Sequence, residues 1–208
     1  MLIKSAVTNA QKRIGISTEQ PSLSAQSILQ IWTEAVSDSS SRPAFTCLGQ
    51  TLSYGEIDQL SRRVASYLQK RLKLRAGDRI AIQLPNLIQY PVVAIAAMKL
   101  GLVIVNTNPM YSVRELVHQF NDAGVKAVIV LDQFYDVLSE AVSQTSVEHV
   151  IVTRPLDLMP SSKRVLLGGL MRLMGKSPRI KNPDVIDFKD LTNNIFTEVH
   201  IIELKPSV

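Results

Sequence analysis

Apolar and polar positions along the chain follow two periods, and the switches between them mark out elements. Arg79 to Leu84 is an apolar run with Pro85-Asn86 behind it, which predicts a buried strand ending in a turn. Ile88 to Leu100 is almost wholly apolar and Ala-rich, with Pro91 where a helix's first turn tolerates a missing N–H. Gly101 suits the position just past a helix end, where positive φ costs little without a Cβ. Leu102 to Val105 is a second β-branched run, closed by Asn106-Thr-Asn-Pro109. Strand, turn, helix, Gly, strand is a βαβ unit, whose two strands lie parallel under a cover of helices. The helix carries only Gln89 and Lys99 as polar positions, so it requires burial nearly all round. Without partners it would expose a contiguous apolar patch and leave the chain an incomplete folding unit.

The same reading extends both ways from this unit. Ser24 to Ser37 places Ile28, Ile31, Trp32 and Ala35 on one helix face, and Ser39-Ser-Ser41 breaks that helix. Pro43 to Leu48 and Gln50 to Ser53 predict a hairpin turning at Gly49-Gln50. Ser53-Tyr-Gly-Glu56 and Ser112-Val-Arg-Glu115 are capping boxes, each opening a helix. The first of these helices carries Ile57, Leu60, Val64, Leu68 and Leu72; Arg62, Arg63, Lys70, Arg71 and Lys73 form an anion-binding face or, as the plainer reading, its solvated side. The second carries Leu116, Val117, Phe120 and Ala123 and stops at Gly124. Lys126 to Leu131 then reads as a strand, Phe134 to Ser143 as a helix, Val147 to Thr153 as a strand, and Leu191 to Phe196 as a short helix. Strands alternating with helices predict an α/β fold with a mainly parallel sheet. The organisation that follows is a mobile leader over 1–20, an α/β subdomain over 21–153, a basic Pro/Gly-containing insertion over 154–183, and the truncated start of a next segment over 184–208.

Charge changes the picture only locally. Of the net +5, the 154–183 segment holds +6: seven basic residues, Arg154, Lys163, Arg164, Arg172, Lys176, Arg179 and Lys181, face the single acid Asp157. The rest of the chain is near neutral, so a nucleic-acid-binding surface is not expected. A basic segment with an apolar stretch at 165–174 can lie on an anionic membrane surface, each Lys or Arg adding about 1 kcal/mol. The plainer reading is a solvated insertion loop, since Gly168-Gly169 weakens a helix there. A single cysteine, Cys47, excludes an internal disulfide and suits a reducing cytoplasm. No apolar run reaches the roughly 20 residues of a membrane-spanning helix. Residues 1–20 lack the continuous apolar core of a signal peptide.

Candidate chemistry is sparse. ATP enzymes cradle phosphates in glycine-rich loops, and neither G-x-x-x-x-G-K-[ST] nor G-x-G-x-x-G occurs here. No G-x-S-x-G marks a hydrolase nucleophile. His118, His149 and His200 lack metal-ligand spacing. His118, on a helix beside Glu115 and Asp122, is an acid–base group or an ordinary exposed histidine. Cys47 reads as a small apolar filler. Asn106 and Asn108 stand where open α/β sheets bind ligands, or serve as turn residues. No catalytic, cofactor-binding or metal-binding residue is assigned.

Taken together, Leu84-Pro-Asn-Leu-Ile-Gln-Tyr-Pro91, Lys99-Leu-Gly101, Val105-Asn-Thr-Asn-Pro-Met-Tyr111, Arg114-Glu-Leu116 and His118-Gln119 resemble the adenylate-forming acyl-CoA synthetases. Within them the chain is most similar to bacterial long-chain fatty-acid–CoA ligases, over their amino-terminal third or so. The resemblance implies ATP- and Mg²⁺-dependent activation of a fatty acid to an acyl-adenylate, then transfer to the thiol of CoA, in the cytoplasm or at the inner face of the membrane. The family's ATP loop and catalytic lysine match no position here. The resemblance therefore implies a fragment inactive alone, binding none of these cofactors productively. A different reading is a complete non-catalytic module that binds a partner or a membrane through 154–183. A third, an independent nucleotide-binding domain, lacks a phosphate loop.

Overall fold

The computed structural model describes residues 27–160, 180, 182–194 and 201. The expected leader, the apolar stretch 165–174 and His200 lie outside them. Helix α1 (Ile28–Ser39) leads into an antiparallel hairpin of β1 (Pro43–Cys47) and β2 (Gln50–Ser53). Helix α2 (Tyr54–Lys70) follows, then β3 (Arg79–Gln83), α3 (Gln89–Lys99), β4 (Val103–Asn106) and α4 (Val113–Ala123). The chain continues through β5 (Val125–Leu131), a 3₁₀ turn Asp132–Phe134, α5 (Tyr135–Val142), β6 (His149–Thr153), β7 (Ile186–Asp187) and α6 (Phe188–Thr192).

Strands β3 to β7 form one sheet in the order β4-β3-β5-β6-β7, parallel at every pairing. Its register sets which residues face which layer. Ile80, Ile82, Leu84, Ile129, Leu131 and Ile151 join the core beneath α2, α3 and α6. Ala81, Val128, Val130 and Val152 join a second core beneath α4 and α5. Both faces are covered, as a parallel sheet requires. Helix α3 is buried along its length, from Val92 through Ala97, within the α2, α3 and α6 layer. The exposed patch expected of an unpartnered α3 is therefore absent: α2, with Ile57, Val64 and Leu68 fully buried, supplies the cover.

Both capping boxes form. The Ser53 hydroxyl accepts from Glu56 N at 3.2 Å, and Glu56 Oε2 accepts from Ser53 N at 2.7 Å. At α4 the Glu115 carboxylate accepts from both the amide and the hydroxyl of Ser112. Gly101 and Gly124 take φ of 64° and 62° at the ends of α3 and α4, the left-handed geometry that glycine enters freely.

Four local expectations shift, each for a visible reason. The hairpin turns at Leu48-Gly49, both at positive φ as a two-residue turn between twisted strands demands, so Gln50 begins β2. Strand β4 starts at Val103 because Leu102 N still closes the helix end on Ala97 O at 3.0 Å. The last short helix starts at Phe188, its first turn capped by Asp187, whose carboxylate accepts from Lys189 N at 2.9 Å. On α1 the predicted apolar face splits: Ile28 (69% exposed) and Ile31 point outward, and Trp32 alone packs against the core.

Candidate functional site

In an open parallel sheet, ligands meet the carboxyl ends of the strands where the strand order reverses. Here β4 lies on one side of β3, and β5, β6 and β7 lie on the other, so the reversal falls between β3 and β5. The residues at these strand ends are Gln83, Asn106, Asp132, Thr153, Arg154 and Asp187.

Glutamine amides hold the loops above this edge. Gln83 Nε2 donates to Pro109 O at 3.4 Å, and Gln119 Nε2 donates to Asn106 O at 3.1 Å. Gln89, at the start of α3, donates to Arg154 O at 2.9 Å, and Gln50 on the hairpin donates to Leu158 O at 2.7 Å. The Tyr90 hydroxyl donates to Asn106 Oδ1 at 2.7 Å, and Asn108 Oδ1 accepts from Met110 N at 3.0 Å. Of the two readings of these asparagines, Asn108 bonds its own turn and Asn106 ties the loop to α3.

The far end of the edge is a charge network. Arg154 Nη1 donates to Asp187 Oδ2 at 2.6 Å, and Lys189 pairs with Asp157 Oδ1 at 3.1 Å. The other Asp157 oxygen accepts from Arg154 N at 2.7 Å and from the Thr153 hydroxyl at 3.2 Å. Burial pushes Asp187 up, but bonds from Lys189 N and Arg154 outweigh it and hold the carboxyl below its ordinary value. Burial raises Asp132, against the bond from Gln133 N and the attraction of Arg154. Arg154, counted in the basic segment on sequence grounds, thus has its charge matched by Asp187 rather than offered to a surface.

The second polar centre lies away from this edge. Lys99 is 3% exposed, with Nζ 2.5 Å from Asp58 Oδ1 and 2.8 Å from Ser61 Oγ. Asp58 also accepts from Trp32 Nε1 at 3.0 Å and from Arg62 Nε at 2.7 Å. Burial pushes Asp58 up, yet the hydrogen bonds from Lys99 and Arg62 win and hold its carboxyl below the ordinary aspartate value. Sequence reasoning singled out Lys99 as a polar exception on α3 without finding its partner. Asp58 sits on the buried side of α2 one turn before Arg62, the signal that was available.

The remaining candidates stay apart. His118 is exposed on α4, His149 opens β6 half-buried, and the Cys47 thiol donates to Asn86 O at 3.5 Å. Cys47 and Gln50 line a cavity of about 10 Å³ with Leu87, Ile88 and Met159. A wider cleft of about 740 Å³ opens between the end of α1 and the start of α2, lined by Ser39, Ser40, Ser41, Arg42, Glu56 and Arg62. Among the described residues no group of three or more His, Cys, Asp or Glu is placed to hold a metal ion. No described helix is long and apolar enough to cross a membrane.

A nucleotide's phosphates need convergent N–H donors or free cations. The described groups at this edge do not fit them: Asp132, Asp187 and, just past β6, Asp157 are acceptors, and Arg154 is paired with Asp187. What the arrangement does is fix loops over the sheet edge.

A family model described as "AMP-binding enzyme" matches residues 32–186. The chain is 38% identical over 167 residues to a long-chain-fatty-acid–CoA ligase of Haemophilus influenzae, covering 80% of this chain and 30% of that protein. It is 36% identical over 165 residues to a long-chain-fatty-acid–CoA ligase of Salmonella typhi, covering 79% and 29%. Among solved structures, a coronafacic acid ligase from Pectobacterium brasiliense superposes with a TM-score of 0.63 at 20% identity, covering 81% of this chain and 29% of that one. At that identity the likeness concerns the fold. The chain spans about 30% of the length of the relatives it matches.

Proposed function

The chain belongs to the AMP-binding enzyme family, and on that premise we propose that it is the amino-terminal α/β part of a long-chain fatty-acid–CoA ligase. The observation that carries this reading is the identity of 36–38% to such ligases over about four-fifths of the chain. The reaction would join a fatty acid to CoA through an acyl-adenylate, using ATP and Mg²⁺ in the cytoplasm. Attack on an α-phosphate needs electrostatic stabilisation by groups aimed at the developing charge. The described strand ends hold Arg154, paired with Asp187, and the carboxylates of Asp132 and Asp157, which supports a reading in which the nucleotide groups come from outside these residues. In this reading residues 27–160 and 182–194 provide scaffold: the sheet, its two helical layers, and the glutamine-held loops at the carboxyl edge. Neither catalysis nor productive ATP, Mg²⁺ or CoA binding is assigned to the chain alone. The 208-residue chain, incubated with ATP, Mg²⁺, palmitate and CoA, is expected to release no AMP above blank. Clear turnover would overturn the scaffold assignment.

A second reading rests on a different observation, the concentration of +6 within 154–183. It gives the chain a non-catalytic role, binding an anionic membrane surface or a partner through that segment. Sedimentation with anionic but not neutral vesicles, reversed by salt, is the outcome it requires. Equal binding to both kinds of vesicle removes it.

A further inference from the structure

The loop between β4 and α4, residues 106–111, is pinned by two amides whose other halves are left over. Gln83 on β3 is fully buried and gives Nε2 to Pro109 O; Gln119 on α4 gives Nε2 to Asn106 O. The Oε1 atoms of both side chains are buried with no hydrogen-bond partner among the described residues. Turning either carboxamide over would set its oxygen against a carbonyl oxygen, so the two loop carbonyls fix the amide orientation. The loop cannot supply the missing donors from its committed groups. Thr107 N donates to Ile82 O at 3.2 Å, Met110 N to Asn108 Oδ1, Tyr111 N to Asn108 O at 3.1 Å, and Thr107 Oγ1 to Val105 O at 3.3 Å. Pro109 has no N–H.

We propose that the β4–α4 loop closes over bound water, accepted by Gln83 Oε1 and by Gln119 Oε1. A buried acceptor is nearly always satisfied by protein or by ordered water. Both orphan atoms are acceptors, so the site takes a donor and rejects carboxylate or phosphate oxygens. Water is the smallest donor that can reach a buried amide oxygen. Water at each oxygen would add to the amide bonds by which the central strand and α4 hold this loop next to the strand-order reversal.

A high-resolution crystal structure of the 208-residue chain, with Gln83→Met and Gln119→Met beside it, tests the proposal. Density about 2.7–3.2 Å from each Oε1 is expected in the wild type and its loss in the matching variant. Gln83→Met is expected to lower Tm by about 2–4 °C and to speed amide exchange across 107–111. Empty density at both oxygens overturns the proposal whatever the variants do.

Discussion

Lys99 shows how one residue ties several helices together. Its ammonium, on α3, is surrounded by Asp58 and Ser61 of α2, and Asp58 reaches on to Trp32 of α1. Removing Lys99 takes a buried cation from Asp58 but leaves Arg62 and Trp32 holding its carboxylate, so the cost is that of a lost hydrogen bond to a charged group, about 1.5–3 kcal/mol. Lys99→Met is expected to lose stability on that scale in urea unfolding, although methionine suits an apolar helix. A loss under about 1 kcal/mol would show the pair to be solvated in practice. The acid limb follows from the same group. Asp58 titrates in the folded chain below its ordinary value of 3.8. Its contribution is therefore present above that pH and is lost as pH falls through the folded value. Asp187, and Asp78 just before β3, which despite burial is held down by Lys126 and the Arg75 amide, are shifted the same way, and Asp132 oppositely, so protonating Asp132 relieves the folded state. Asp58→Asn is expected to flatten the fall in stability below about pH 4. An unchanged slope would remove Asp58 from the acid response.

The elements were legible to different depths. Capping boxes at Ser53 and Ser112 and glycines at 101 and 124 are local chemistry, and the helices start and stop where they say. Parallel pairing followed from β-branched runs separated by helix-length segments. That β3 would sit between β4 and β5 did not, because neighbours in a sheet are set by crossovers that no local pattern encodes. The strand-end ion pairs were hidden for the same reason: Arg154 and Asp187 are 33 residues apart. Helix α1 is the instructive failure. Its apolar spacing predicted a buried face, yet Ile28 and Ile31 face outward and none of its residues is fully buried. Its anchor is Trp32, which donates to Asp58 and lies 5.4 Å, ring centre to ring centre, from Tyr54. Trp32→Phe removes a hydrogen bond to a carboxylate, about 1.5–3 kcal/mol. Amides of Ile28–Ser39 are expected to exchange markedly faster in that variant, with α2 and α3 unchanged. Equal exchange across all three helices would mean that α1 folds as one with them.

At the scale of the molecule, the described residues form a sheet of five parallel strands with a helical layer on each face. It carries a polar carboxyl edge on which loops are fixed, yet no phosphate-binding constellation among its described residues. That combination, with sequence identity confined to about 30% of each relative, is what a scaffold portion of a larger ligase would look like. The most direct test is transplantation. Residues 32–186 replace the matching stretch of the Haemophilus influenzae ligase, and the folded chimera is assayed for palmitoyl-CoA formation beside the 208-residue chain alone. The scaffold assignment predicts acyl-CoA from the chimera and none from the chain. A folded chimera without activity, or a chain that turns over unaided, would contradict it.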